Sequence, residues 1–228
     1  MLSILIGSYK EFIIINILII IHELGHYLIS RIFNVEVYKI YIYPLGGITK
    51  LNMDLNINPL KEFIIIIFGP LFQNIAYLIL IKLFNKELVL NYHLGILLFN
   101  LLPIYPLDGG KLLELLFEKF IPYKKSLKLV SIISYIFILV LLLKTKYIKL
   151  NIVITIILLI ILVSNEYKKI NYKYNKFKLE RYLKKYHFKD SKLIFNEDDF
   201  YRNNRHLIKI NDKYYTENDY FMKKIKKN

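Results

Sequence analysis

Apolar positions in this chain do not recur at a fixed period; they form unbroken runs. Residues 12–33 are almost continuously apolar, interrupted by Asn16 and by a polar cluster at 22–26. Further runs cover 63–84, 92–107, 127–143 and 150–164. A soluble helical core would present a polar face every 3.6 residues, and these runs present none. A helix needs about 20 residues to cross the hydrocarbon core of a bilayer, fewer where flanking Tyr and Lys reach the interface. The pattern therefore predicts an all-α polytopic membrane bundle of about five spans. Residues 35–51, VEVYKIYIYPLGGITKL, break it with β-branched and Tyr residues, then Pro44 and the Gly46-Gly47 pair. That segment reads as a strand, a turn and a short returning strand, a small β-hairpin on the cytoplasmic side. Beyond residue 165 the long runs stop. A hairpin about Asn211-Asp212 and a helix capped by Thr216, with Asp219 three residues on, predict a short α+β soluble tail.

Charge sharpens this division. The chain of 228 residues carries a formal net charge of +15. Residues 1–164 hold 15 Lys/Arg and 9 Asp/Glu, whereas the last 64 residues hold 18 and 9. Two domains are expected: a membrane domain over 1–165 and a basic cytoplasmic tail over 166–228. Neither an ordinary soluble globule nor a wholly disordered chain fits. The 41 Ile and 29 Lys, against 4 Arg and 1 Ala, reflect A/T-rich codons, so the Ile excess is not a strand signal. With no cysteine, disulfides, thiolate metal sites and cysteine nucleophiles are excluded. With the tail in the cytoplasm, five spans leave 27 Lys/Arg inside and 6 outside, which orients the chain N-out and C-in. Most of that margin comes from the tail. The N-terminus lacks the early positive region of a signal peptide.

The polar cluster in the first run is His22-Glu23-Leu24-Gly25-His26, an HExxH motif. Positions i and i+4 share one helix face, so both imidazoles can reach one metal ion, with Glu23 beside them as a general base. Ionisable groups inside a span are costly and default to function. The bland alternative, two interfacial histidines, leaves Glu23 unexplained. Zinc needs a third protein ligand and an open position. Both the first and third spans run out-to-in, and the third ends in NLLPIYPLDGG, which brings Asp108 to the cytoplasmic end beside HELGH. Asp108 alone could be a helix cap before Gly109-Gly110; together with HELGH it reads as the third ligand. Pro103 and Pro106 would break the helix there. Glu36 and Asp54 in the inner loop could approach the site. Glu114 and Glu118 read as interfacial, His93 as an outer-end residue far from His22, and His187 and His206 as structural or solvated.

HELGH, FGPLFQN at 68–74 and NLLPIYPLDGGK at 100–111 resemble the site-two protease family (peptidase M50) of intramembrane zinc metalloproteases. PLGG at 44–47 and NPLKEF at 58–63 add likeness to its sporulation type. The resemblance covers roughly residues 5–165. It implies Zn2+ as cofactor, His22, His26 and Asp108 as ligands, and Glu23 as catalytic base. Asn100 matches the Asn of the family's N-x-x-P-x-x-P-L-D-G motif; it and Pro106 are expected to position substrate. The implied function is an intramembrane endopeptidase cleaving a membrane-tethered or membrane-adjacent protein, in a bacterial cell membrane. Two features of that type have no counterpart here: a further span before the HELGH helix and a C-terminal nucleotide-binding domain of the cystathionine-synthase type. One rival is a membrane zincin of the CAAX-processing or heat-shock type, with Glu114 as third ligand. Another is a non-catalytic scaffold of the same fold. The Lys/Arg-rich residues 165–192 suit anionic lipid headgroups, or a solvated helix face; no nucleic-acid-reading motif occurs.

Overall fold

The computed structural model describes residues 9–43, 46–52, 54–144, 150–184, 186–188, 190–196, 198–210 and 212–225. Pro44 of the expected first hairpin turn and Asn211 of the second lie outside them. The chain divides into two compact units.

The first unit, Met1–Met53, Pro59–Leu102 and Pro106–Lys111, holds helix α1 (Tyr9–Ile32), strands β1 (Glu36–Tyr43) and β2 (Gly46–Asn52), and helices α2 (Pro59–Leu80) and α3 (Lys86–Asn100). The expected hairpin at 35–51 is present: β1 and β2 pair antiparallel from Glu36↔Asn52 to Tyr43↔Gly46, with an irregularity between Val37 and Lys39. The core packs Ile14, Leu18 and Ile19 of α1 against Ala76 and Leu80 of α2 and Val89 and Ile96 of α3. The apolar run 92–107 does not form one span. The helix there starts earlier, where the Asn85 side chain accepts from the Leu88 amide at 3.1 Å, and stops at Asn100. Pro103 and Pro106 follow, and neither can donate to a helical hydrogen bond. The result is a 15-residue helix, α3, and an irregular stretch that delivers Asp108.

The second unit, Asp54–Asn58, Pro103–Tyr105 and Leu112–Asn228, takes in most of α4 (Asp108–Glu118), then α5 (Tyr123–Lys144), α6 (Leu150–Lys168) and α7 (Ile170–Leu183). Strands β3 (Asp190–Ile194), β4 (Asn204–Ile210) and β5 (Lys213–Thr216) and helix α8 (Glu217–Ile225) complete it. β3 runs parallel to β4, and β5 antiparallel to it. The cap at Thr216 forms as expected: its hydroxyl accepts from the Asp219 amide at 3.3 Å and donates to the Asp219 carboxylate at 2.6 Å. Helices α1, α2, α5 and α6 are each long and apolar enough to cross a membrane. Leu139, Leu143, Ile154, Ile157 and Ile161 of α5 and α6 are exposed, as expected of faces solvated by lipid.

The part of the second unit that follows α6 is built on a buried polar cluster that the sequence does not announce. Arg181, counted above among lipid-facing cations, is buried instead. It donates to Asn56 Oδ1 (2.7 Å), the Tyr201 and Arg202 carbonyls (2.8 and 2.7 Å) and Glu217 Oε1 (2.9 Å). Glu118, expected at the interface, is also buried and pairs with Arg202 at 2.6 Å; Glu114 is buried as well. His206 is structural, as expected. Its Nε2 accepts from the Tyr201 amide at 2.9 Å, so the proton sits on Nδ1, which donates to Glu217 Oε1 at 2.6 Å.

Burial, with the charge of Arg181, lowers the His206 pKa below its ordinary 6.5. Burial alone would raise that of Glu217, but its hydrogen bonds with His206 and the charge of Arg181 lower it below 4.5. The unfolded chain therefore takes up protons first at both groups as pH falls. The stability that each group contributes is complete above its unfolded value. It is lost on acidification, from His206 below pH 6.5 and from Glu217 below pH 4.5. Protection factors at β4 amides, corrected for the intrinsic pH dependence of exchange, should fall in two stages between pH 7.5 and pH 4, and a His206→Gln variant should lose the first stage.

Candidate metal centre

Helix α1 places His22 and His26 one turn apart on its buried face, both within 4% of full burial. Each ring is held by its Nδ1. His26 Nδ1 lies 2.8 Å from the Ile65 carbonyl oxygen, which can only accept, so Nδ1 carries the proton. His22 Nδ1 lies 3.0 Å from Gln73 Oε1. Both Nε2 atoms consequently present lone pairs, 3.2 Å apart. Asp108, the first residue of α4, puts Oδ2 at 3.0 Å from His22 Nε2 and 3.2 Å from His26 Nε2. Its other oxygen lies 3.3 Å from the Lys111 ammonium. Three acceptor atoms thus converge in an apolar setting, and a cation must sit among them, either a proton or a metal ion.

The donor set suits zinc: two imidazole nitrogens and one carboxylate oxygen, the three within 4.8 Å of one another and buried. Gly69 of α2 keeps the approach open. A Cβ at that position would lie 2.3 Å from His26 Nε2 and 3.0 Å from His22 Nε2. Gly25, inside the motif, lets the two helices meet, since a Cβ there would lie 2.4 Å from the Phe68 carbonyl oxygen. Pro70 removes the next amide donor of α2.

The structure brings together His22, His26 and Asp108, and buries Glu23 between the two histidines on α1. Asn100 is buried at the end of α3, and its Nδ2 has no hydrogen-bond partner among the described residues. Pro106 is buried two residues before Asp108. Sequence reasoning missed Gln73 and misplaced His93. Gln73 Nε2 donates to the His93 carbonyl oxygen at 3.0 Å and lies 3.3 Å from His93 Nδ1, so His93 is one side chain away from His22. The available signal was a polar side chain inside an apolar run, but Gln73 is followed by Asn74, which is exposed and bonds the Pro70 carbonyl. Only the helix packing separates the two.

Fold and site together define a polytopic membrane protein in which two histidines of an HExxH helix and Asp108 of α4 form a buried group positioned to hold a metal ion. The family model for peptidase family M50 matches residues 10–87 and 80–143. Stage IV sporulation protein FB of Bacillus subtilis is 35% identical over 196 residues, covering 81% of this chain and 68% of that protein. Zinc metalloprotease MJ0392 of Methanocaldococcus jannaschii is 32% identical over 58% of this chain and 41% of its own length. A solved structure, the site-2 protease from Methanocaldococcus jannaschii, superposes with a TM-score of 0.51 at 28% identity, covering 75% of this chain and 82% of that one. The chain belongs to peptidase family M50.

Gly69→Ala should leave the helices folded and weaken metal binding by about 10–100-fold, the cost typical of disturbing a ligand's support. Metal titration of the purified protein measures it. Leu71→Ala, at a half-exposed position of the same helix, should bind as the wild type does.

Proposed function

We propose that the protein is an intramembrane zinc metalloendopeptidase that cleaves a peptide bond in a membrane-tethered or membrane-adjacent protein. The observation that carries this is the convergence of His22 Nε2, His26 Nε2 and Asp108 Oδ2 on one point, beside Glu23, inside an apolar helix. His22, His26 and Asp108 would hold the ion. Zinc held there would supply Lewis-acid chemistry, polarising a carbonyl and lowering the pKa of a water to about 7. Glu23 takes the proton of the attacking water and passes it to the leaving amine. Three protein donors leave a fourth position for water and substrate, the pattern of a catalytic rather than a structural zinc site.

Asn100 Nδ2 is a buried donor with no partner among the described residues, which suits it to a substrate carbonyl. Pro106 shapes the stretch between Asn100 and Asp108. The cytoplasm is the side proposed for the C-terminus, on the charge count, and a bacterial cell membrane is the proposed location. Exposed Lys168 and Lys169, where α6 ends, suit anionic headgroups.

The reading is tested in full-length protein with Glu23→Gln. That variant should keep its zinc and lose proteolysis, read as the disappearance of membrane-released fragments in proteomics against the wild type, because an amide cannot accept the proton. Turnover near wild type would refute the mechanism. Asp108→Ala should lose the metal, whereas Glu114→Ala should keep it; the reverse would favour the CAAX-type zincin. Zinc binding without cleavage of any membrane protein by the wild type would favour the scaffold.

A further inference from the structure

Gln73 is fully buried, and its carboxamide has one workable orientation. The His93 carbonyl oxygen, 3.0 Å away, can only accept, so the amide nitrogen must face it and Oε1 must face His22. A flipped amide would set oxygen against oxygen. The same nitrogen lies 3.3 Å from His93 Nδ1, which therefore offers a lone pair. The His93 ring is itself buried and stacks on Tyr77, with centroids 4.6 Å apart and planes at 20°. The atoms form one directed chain, from Tyr77 and His93 on α2 and α3, through Gln73, to Nδ1 of His22. Its outcome is a lone pair on His22 Nε2, facing Asp108.

We propose that Gln73 and His93 are positioning residues for the metal centre: together they fix the tautomer and ring plane of His22, with His93 acting only through Gln73. His26 needs no such relay, because the Ile65 backbone carbonyl serves it directly. The two ligands are thus supported unequally, one by main chain that no substitution removes and one by a side-chain relay. Metal affinity should respond to changes on α3, a helix that supplies no ligand to the cluster.

The inference rests on His22 being a metal ligand, and the experiment separates the two. Full-length protein in detergent is stripped with a chelator and titrated with zinc against a chromophoric competitor, and with cobalt for its visible ligand-field spectrum. His22→Ala should abolish binding; binding that survives it overturns the ligand assignment itself. With that control in place, Gln73→Ala should weaken zinc by about 10–100-fold and alter the cobalt spectrum. His93→Ala, which keeps the backbone carbonyl, should show a smaller loss in the same direction. His93→Asn, whose Oδ1 can replace Nδ1, should restore affinity and spectrum, and the Gln73→Ala/His93→Ala double variant should be no weaker than Gln73→Ala alone. Wild-type affinity and spectrum in His93→Ala, or additive losses in the double variant, would overturn the relay while leaving the ligand assignment standing. If His93→Ala fails to fold, as judged by helical circular dichroism, His93→Asn against His93→Leu decides: equal affinities overturn the relay.

Discussion

Three acceptor atoms meeting inside an apolar bundle is the constraint on which the rest of this structure depends. Two imidazole nitrogens and a carboxylate oxygen within 3.0–3.2 Å of one another repel unless a cation joins them. Bringing them together takes three separate devices. The α-helical repeat aligns His22 with His26. Glycine at 25 and 69 removes the side chains that would keep α1 and α2 apart or fill the space at the imidazoles. Pro103 and Pro106 end α3 and let the chain turn, so that α4 can start with Asp108 at the imidazoles. Each device costs ordinary stability, through a lost methyl, a lost rung of hydrogen bonds or a buried charge, and together they leave one cation-binding point.

The polar supports around that point orient the two imidazoles. A buried histidine whose second nitrogen had no acceptor could adopt either tautomer and either ring plane. Here the Ile65 carbonyl and the Gln73 carboxamide remove that freedom, leaving both Nε2 lone pairs directed inward. The residues beyond α6 follow the same logic with different groups. Arg181 lies among carbonyls, Asn56 and Glu217, and Arg202 lies against Glu118, so the buried charges are paired rather than exposed. Two of the 18 Lys/Arg beyond residue 164, Arg181 and Arg202, are therefore structural rather than part of a charged surface.

Legibility in the sequence tracks how local the determining physics is. The HExxH spacing, the apolar runs that became α1, α2, α5 and α6, the pairing of β1 with β2 and the Thr216 cap each depend mainly on neighbours close in sequence, and the structure has them as expected. Asp108 was reached by combining a membrane orientation with a motif. The apolar run at 92–107 misled, because hydropathy cannot see that Asn85 caps a helix seven residues earlier and that Pro103 closes it. Gln73, His93, Arg181 and Glu118 act through partners 20 to 125 positions away, and nothing in their immediate sequence marks which face they occupy. Strand β3 pairs parallel with β4 across an irregular connection and carries no turn signal that would announce it.

The most direct test of the central claim is X-ray absorption at the zinc edge on the full-length protein loaded with one equivalent of zinc. Two imidazole nitrogens at about 2.0–2.1 Å and one carboxylate oxygen at about 2.0–2.2 Å, with a light atom in the fourth position, are predicted. The imidazole scattering should be lost in His22→Ala/His26→Ala. A first shell of oxygen alone, or an imidazole signal that persists in that double variant, would contradict the account.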